Sequence, residues 1–241
     1  MLGVSRDGDV VTIELQREER RNALNLDLVV QLREALLQAA HNARVIVITG
    51  RGPVFSAGAD LDGVYSTEFL DTLLEMLHEV ESLPVPVIAA LNGPALGAGV
   101  QLAMAADLRV MAPDSYLAIP AAKLGISVDR WTTRRLVSLV GGGPARTVLL
   151  GAEPISAADA YTFGFANRLG TLADAQTWAK SVAELAPLSL RHLKLELNDD
   201  GTRGPSPKEQ QSALEAAWNS EDAEEGRQAR KEKRSPKFVG R

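Results

Sequence analysis

The chain has 241 residues, 45% apolar and 24% charged, with a net charge of −5, the balance of a soluble globular protein of one sizeable domain or a domain with a helical appendage. Cysteine is absent, which excludes disulfides, thiol nucleophiles and Cys-ligated zinc, and His41, His78 and His192 lie too far apart in sequence for metal-ligand spacing, so no metal is expected. The last fifteen residues, RQARKEKRSPKFVGR, hold seven Lys/Arg and one Glu, so the rest of the chain is strongly acidic and argues against nucleic-acid binding.

In chain order, DVVTIELQ (9–16) alternates as a strand, and residues 27–40 place Leu28, Leu32, Leu36 and Ala39 at helical spacing. ARVIVITG (43–50) is a β-branched run ended by Gly, as in a buried strand. After a loop, Ser66 can cap a helix bearing Leu70, Leu73, Leu74, Leu77 and Val80. Pro84-Val85-Pro86 introduces the strand VIAAL (87–91). A Gly/Pro turn and a helix to about Ala106 follow, then DLRVMA (107–112) and YLAI (116–119). The stretch 85–106 is apolar enough to suggest a membrane span, but Asn92-Gly93-Pro94 and two later glycines divide it into strand, turn and buried helix.

From 131 onward helices dominate: 131–140, 144–151, 156–163, 172–185, 187–198 and 207–232. NDDGTRGPSP (198–207) reads as a linker, dividing a unit 1–197 from a C-terminal helix and basic tail, 198–241. The fold class is α/β, an alternating strand–helix core under a helical cover. The N-terminal MLGVSRDGDVV has no basic-then-apolar pattern of a secretion signal, so the expected location is cytoplasmic, or peripheral to the inner membrane.

Two loops follow buried strands: GRGPVFSAGADLDG (50–63) and NGPALGAG (92–99). Small side chains let a ligand approach the backbone, and each loop leads into a helix whose first N–H groups are free and favour negative charge. Two such donors aimed at one point would stabilise an oxyanion; each loop alone is also an ordinary strand-to-helix turn.

RRNALN (20–25), VFSAGADL (54–61), NGPALGAGVQLAMAADLRV (92–110) and GAEPISAADAYTFGFANRL (151–169) together resemble the crotonase superfamily, which includes enoyl-CoA hydratases and isomerases. The resemblance implies a ClpP-like spiral of ββα turns with a C-terminal helical region that makes a homotrimer or a dimer of trimers. It implies no separate cofactor, an acyl-CoA ligand and an oxyanion hole made by the N–H groups of Ala59 and Ala98. Ala57, Asp60 and Leu61 would lie beside the CoA, and Arg21 and Ala23 near its adenine and phosphates. Lys237 and Phe238 of the basic tail are candidates to cover the adenine of a neighbouring subunit, although a solvated tail accounts for the same residues.

Hydratases of that family activate water with two glutamates, and at the matching positions stand Gln101 and Ala121. An amide holds a water but takes no proton at neutral pH, and alanine does neither. One acid remains, Asp129, which is either a helix N-cap ahead of Arg130 and Trp131 or a catalytic acid of the family's isomerase type. Leu74, Leu77, Trp131 and Ile119 could line an acyl pocket or be plain core, and Arg134 and Arg135 read as surface or inter-subunit charges. The same replacements resemble a mycobacterial non-hydratase branch of the family that binds long-chain acyl-CoA, which implies a role in fatty-acid or mycolic-acid supply and a lipid-transport or fatty-acid-synthase partner. The competing expectation is an enoyl-CoA hydratase or isomerase working through Asp129 and the oxyanion hole.

Overall fold

The computed structural model describes residues 1–60, 66–121, 128–199 and 220–234, with 208, 212, 216, 236, 237 and 239–241. The chain opens on a hairpin, β1 (Leu2–Asp7) and β2 (Val10–Leu15), turned at Gly8 and leading to a 3₁₀ turn at Glu18–Arg20. Then come α1 (Leu26–Ala40), β3 (Val45–Gly50), α2 (Thr67–Ser82), β4 (Val87–Leu91), β5 (Ala95–Leu96) and α3 (Ala98–Ala105). β6 (Leu108–Met111), β7 (Tyr116–Ala118), α4 (Arg130–Val140), α5 (Gly142–Leu149), β8 (Ile155–Ser156), α6 (Ala157–Thr162) and β9 (Arg168–Leu169) follow. The chain ends in α7 (Leu172–Ala183), α8 (Pro187–Leu197) and α9 (Glu221–Glu232).

The long strands form one sheet ordered β1-β2-β3-β4-β6-β9, parallel from β2 onward. β3 and β4 are buried along their whole length, which explains why they read as unbroken apolar runs rather than alternating ones. Short extended pieces make a second layer: Leu24 bridges Ala59, Ser56 bridges Ala95, and β5 pairs with β7, which pairs with β8. Each turn of the chain therefore gives a long strand to the first sheet and a short piece to the second, then a helix: β3, 56–59 and α2; β4, β5 and α3; β6, β7 and α4. The repeat is the expected ββα spiral.

The predicted helices and strands from 9 to 119 and from 131 to 198 are present, with ends moved by at most two residues. Asn25, Ser66, Asp129, Ser156 and Thr171 accept from backbone N–H groups at the starts of α1, α2, α4, α6 and α7, so each start is set by a capping side chain. The reading missed β1 and the two-residue strands β5, β8 and β9. Most of the predicted linker 198–207 lies outside the described residues.

All eight residues of α3 are buried, so the apolar stretch 85–106 is strand, turn and core helix. Among the described residues no helix is long and apolar enough to cross a membrane. Arg109, also buried, holds the other end of α3: its guanidinium donates to the carbonyls of Ala103 (3.3 Å) and Ala106 (2.7 Å), and its Nε to that of Phe165 (2.5 Å). Burial, with Arg135 nearby, pushes Arg109 down to about 10, so it stays cationic at neutral pH and complements the negative helix end.

Candidate functional site

A cleft of about 630 Å³ opens where the two predicted loops meet. Ala57, Gly58, Ala59 and Asp60 line one side, and Leu96, Gly97, Ala98 and Gln101 another. Phe69, Leu70, Leu73 and Leu74 of α2 supply an apolar wall, and Ile119, Pro120, Ala121, Val128 and Asp129 complete it.

Backbone pairing and two asparagines clamp the loops together. Leu96 N–H donates to Ser56 C=O (2.9 Å) and Phe55 N–H to Pro94 C=O (3.1 Å). Asn92 accepts from Gly50 N–H (3.0 Å) and donates to Gly52 C=O (2.7 Å). Asn22, fully buried at φ 55°, donates to the carbonyls of Arg51 (2.9 Å) and Val54 (2.8 Å) and accepts from Arg17 N–H (3.0 Å). Asparagine suits both tasks, since its short amide satisfies three buried groups and tolerates the left-handed region. Asn22→Ala strands those groups and is expected to lower the unfolding free energy by about 2–4 kcal/mol, read from urea denaturation of the two proteins.

The two expected donors sit at the floor of the cleft. The parallel bridge of Leu24 with Ala59 uses Leu24 N–H to Gly58 C=O (2.7 Å) and Asp60 N–H to Leu24 C=O (2.8 Å). Ala59's own N–H therefore points to the opposite side. Ala98 is the first residue of α3, after Gly97 at φ 47° and ψ −114°, with no side chain capping the helix. Neither N–H has an acceptor among the described residues. A Cβ on Gly58 would lie 2.7 Å from Leu96 O and 3.4 Å from Ala98 N, so the two loops touch at the donors. Such a pair can bind a polarised carbonyl oxygen.

One turn into α3, Gln101 lines the cleft and donates its amide to Thr132 Oγ1 (2.6 Å) and Asp129 Oδ2 (3.2 Å). The N-cap reading of Asp129 holds, and the same residue also faces the cleft. It caps α4, with Oδ1 accepting from Thr132 N–H (2.9 Å), and it lines the cleft, with Oδ2 also accepting from the Thr132 hydroxyl (2.6 Å). Both carboxylate oxygens are thus occupied by donors of the protein. Ala121 offers a methyl group alone.

Other expected residues fall differently. Ala23, Ala57 and Asp60 line the cleft, Asp60 paired with Arg17 at 2.7 Å. Arg20 lines it, whereas Arg21, in the left-handed region at φ 50°, does not. Leu74 lines it; Leu77 does not and is wholly buried in the core. Trp131 lines a separate cleft with Arg130, Arg134 and Leu197, and its indole donates to Glu81 Oε2 (3.0 Å). Burial pushes the Glu81 carboxyl up, opposed by Arg135 and that indole. Arg135 is an inward group, bonded to Met104 C=O (3.0 Å). Lys237 lies on a tail folded against α9, its N–H donating to Glu225 (2.7 Å), away from the cleft of its own chain. Leu61 and Phe238 lie outside the described residues. The reading missed Thr132, which stands three residues after the cap, and the wall residues Phe69 and Leu73.

Residues 5–241 match the family described as enoyl-CoA hydratase/isomerase. Over the full length of both chains the protein is 50% identical to one named "Probable enoyl-CoA hydratase echA6" from Mycobacterium leprae. It is 34% identical to the 2,3-dehydroadipyl-CoA hydratase of Escherichia coli, covering 99% of this chain and 98% of that one. The crystal structure of an enoyl-CoA hydratase from Bacillus anthracis superposes with a TM-score of 0.89 at 31% identity, covering 100% of this chain and 99% of that one. With its ββα spiral and a family match spanning nearly every residue, the chain belongs to the enoyl-CoA hydratase/isomerase family, the crotonase superfamily.

Proposed function

We propose that this protein binds acyl-CoA thioesters in the cleft, holding the thioester oxygen on the N–H groups of Ala59 and Ala98, and does not hydrate them. The observation that carries the reading is the company those donors keep: Gln101 and Ala121 beside them, and an Asp129 whose two oxygens already accept three hydrogen bonds. A backbone donor is worth about 2.7–4 kcal/mol toward a developing oxyanion, enough to bind and polarise a thioester. A general acid–base group adds about 10²–10⁴ in rate, and hydration needs such a group to take a proton from water.

The apolar wall from Phe69 to Leu74 would take the acyl chain, and Arg20, Ala23, Ala57 and Asp60 the CoA. Lys237 and Phe238 would reach the adenine from a neighbouring subunit of a homotrimer or dimer of trimers. A binder of this kind delivers or senses acyl chains in fatty-acid or mycolic-acid metabolism, handing them to a lipid-transport or fatty-acid-synthase partner in the cytoplasm or at the inner membrane. One observation favours a second reading: Asp129 does face the cleft, so an isomerase shuttling a proton through it is the rival.

The test is an incubation of near-stoichiometric protein with 2-enoyl- and 3-enoyl-CoAs in heavy water, read by mass spectrometry. Binding without added water and without deuterium on carbon is expected. Deuterium incorporation that disappears in Asp129→Asn would establish the isomerase instead.

A further inference from the structure

We infer that Asp222 and Glu225 are positioning residues for the nucleotide end of CoA: they pin the C-terminal tail into a loop that carries Lys237 outward, toward the phosphates of a CoA held by a neighbouring subunit. The inference rests on the reading that this tail reaches the adenine end of the ligand, and it names the residues that preset the tail.

The tail is gripped at two points by the first turns of α9. Asp222, the second residue of that helix and 1% exposed, accepts from the N–H groups of Val239 (2.5 Å) and Gly240 (2.8 Å), one on each carboxylate oxygen. The N–H groups of Glu221 (2.6 Å) and Asp222 (3.4 Å) donate in turn to the Arg241 carbonyl. A carboxylate so buried is costly without such donors, so Asp222 and the tail hold each other in place. Glu225, three residues on and on the same face of α9, accepts from the Lys237 N–H (2.7 Å) and from the Arg234 guanidinium (2.5 and 2.9 Å). Those donors, Arg234 foremost, hold the Glu225 carboxyl down to about 2, so the grip stays charged at neutral pH. Gly240, at φ 78°, makes the last bend, and a Cβ there would lie 3.2 Å from Pro187 Cγ at the start of α8.

The cation this loop leaves unspent is Lys237. Arg234 is neutralised by Glu225 and Glu232, and Arg241 by Glu221. The Lys237 ammonium makes no hydrogen bond or ion pair among the described residues, although its own N–H is held. With residues 237, 239 and 240 fixed through their N–H groups, an exposed ammonium stands on an ordered backbone. Such preorganisation lowers the cost of ordering the tail around a phosphate, and lysine is a suitable point charge for one. Lys237 opens onto a cleft shared with Arg44 and Lys180, away from the acyl cleft of its own chain, so the CoA it serves belongs to a neighbour.

The experiment is calorimetric titration of the full chain with the octanoyl thioesters of CoA and of pantetheine, which lacks the nucleotide. The parent is expected to bind the CoA ester at least about tenfold tighter, the worth of one charge-assisted hydrogen bond. Asp222→Ala and the milder Glu225→Gln are each expected to lose most of that preference while binding the pantetheine ester as the parent does. Lys237→Ala is expected to lose it too, and to cost nothing more when added to Asp222→Ala, because the one residue acts through the other. Equal losses for both esters in Asp222→Ala and Glu225→Gln would make the grip merely structural and overturn the inference. A preference kept by both of those variants, or by Lys237→Ala, overturns it as well. A parent with no preference overturns the reading of the tail itself, and no binding of either ester overturns the reading of the cleft.

Discussion

Gly58→Ala is expected to cut acyl-CoA affinity by at least about a hundredfold, with the protein still folded. Gly58 sits at φ 93°, where an L-residue is strained by about 1–3 kcal/mol. The added methyl would also stand 2.7 Å from Leu96 O and 3.3 Å from Leu96 C. Both are backbone atoms, so no side chain can swing aside, and relief requires the loop at 56–59 to move off the loop at 95–98. Those loops carry the N–H groups of Ala59 and Ala98, and a shift of a fraction of an ångström takes two donors off one oxygen. Gly8→Ala is the control: its φ is 60°, nothing lies within 4 Å of the new methyl, and the hairpin turn is remote from the cleft. It is expected to cost about 1–2 kcal/mol of stability and leave affinity unchanged. Titration and thermal melting of the three proteins check this, and wild-type affinity in Gly58→Ala would mean that the loops do not set the site.

Much of this geometry can be read from residue order. Small-residue loops after strands point to backbone donors, and the long apolar runs of β3 and β4 mark buried parallel strands. The two-residue strands β5, β8 and β9 have no periodicity to read, because they are defined by partners far away in the chain. The differences at the site have local causes. Arg21 and Asn22 both take positive φ after a 3₁₀ turn, so the loop rotates by a residue and Arg20, not Arg21, meets the cleft. Trp131 stands two residues on from Asp129, and residues two apart on a helix face different ways. Thr132, three on from the cap, is the one that shares its face, and the wheel could have identified it. Leu77 continues the stripe of Leu70, Leu73 and Leu74, but one turn further along α2 the stripe enters the core. Leu70, on the same helix, is 43% exposed and lines the cleft.

The second large effect is a gain. Gln101→Glu alone is expected to produce no hydratase, because its new carboxylate would stand where the amide nitrogen lies, 3.2 Å from Asp129 Oδ2. Two carboxylates so close repel each other, and the second acid that hydration uses is still missing at Ala121. Ala121→Glu alone adds a single acid opposite an amide that cannot take water's proton. Asp129→Gly removes the competing charge at small structural cost, since glycine is tolerated at an N-cap to within a few tenths of a kcal/mol. The triple variant Gln101→Glu, Ala121→Glu, Asp129→Gly is therefore expected to hydrate a short 2-enoyl-CoA at least about a hundredfold faster than the parent, the lower end of what one acid–base group contributes. Loss of enoyl-thioester absorbance gives the rate, and titration with a saturated acyl-CoA shows that each variant still binds. Equal activity in Gln101→Glu alone would show that neither the charge of Asp129 nor the missing acid at Ala121 blocks hydration. A triple variant that binds thioester but hydrates no faster than the parent would show that the missing carboxylates are not what stops the chemistry. The reason would then lie in where the ligand's second and third carbons rest against α3.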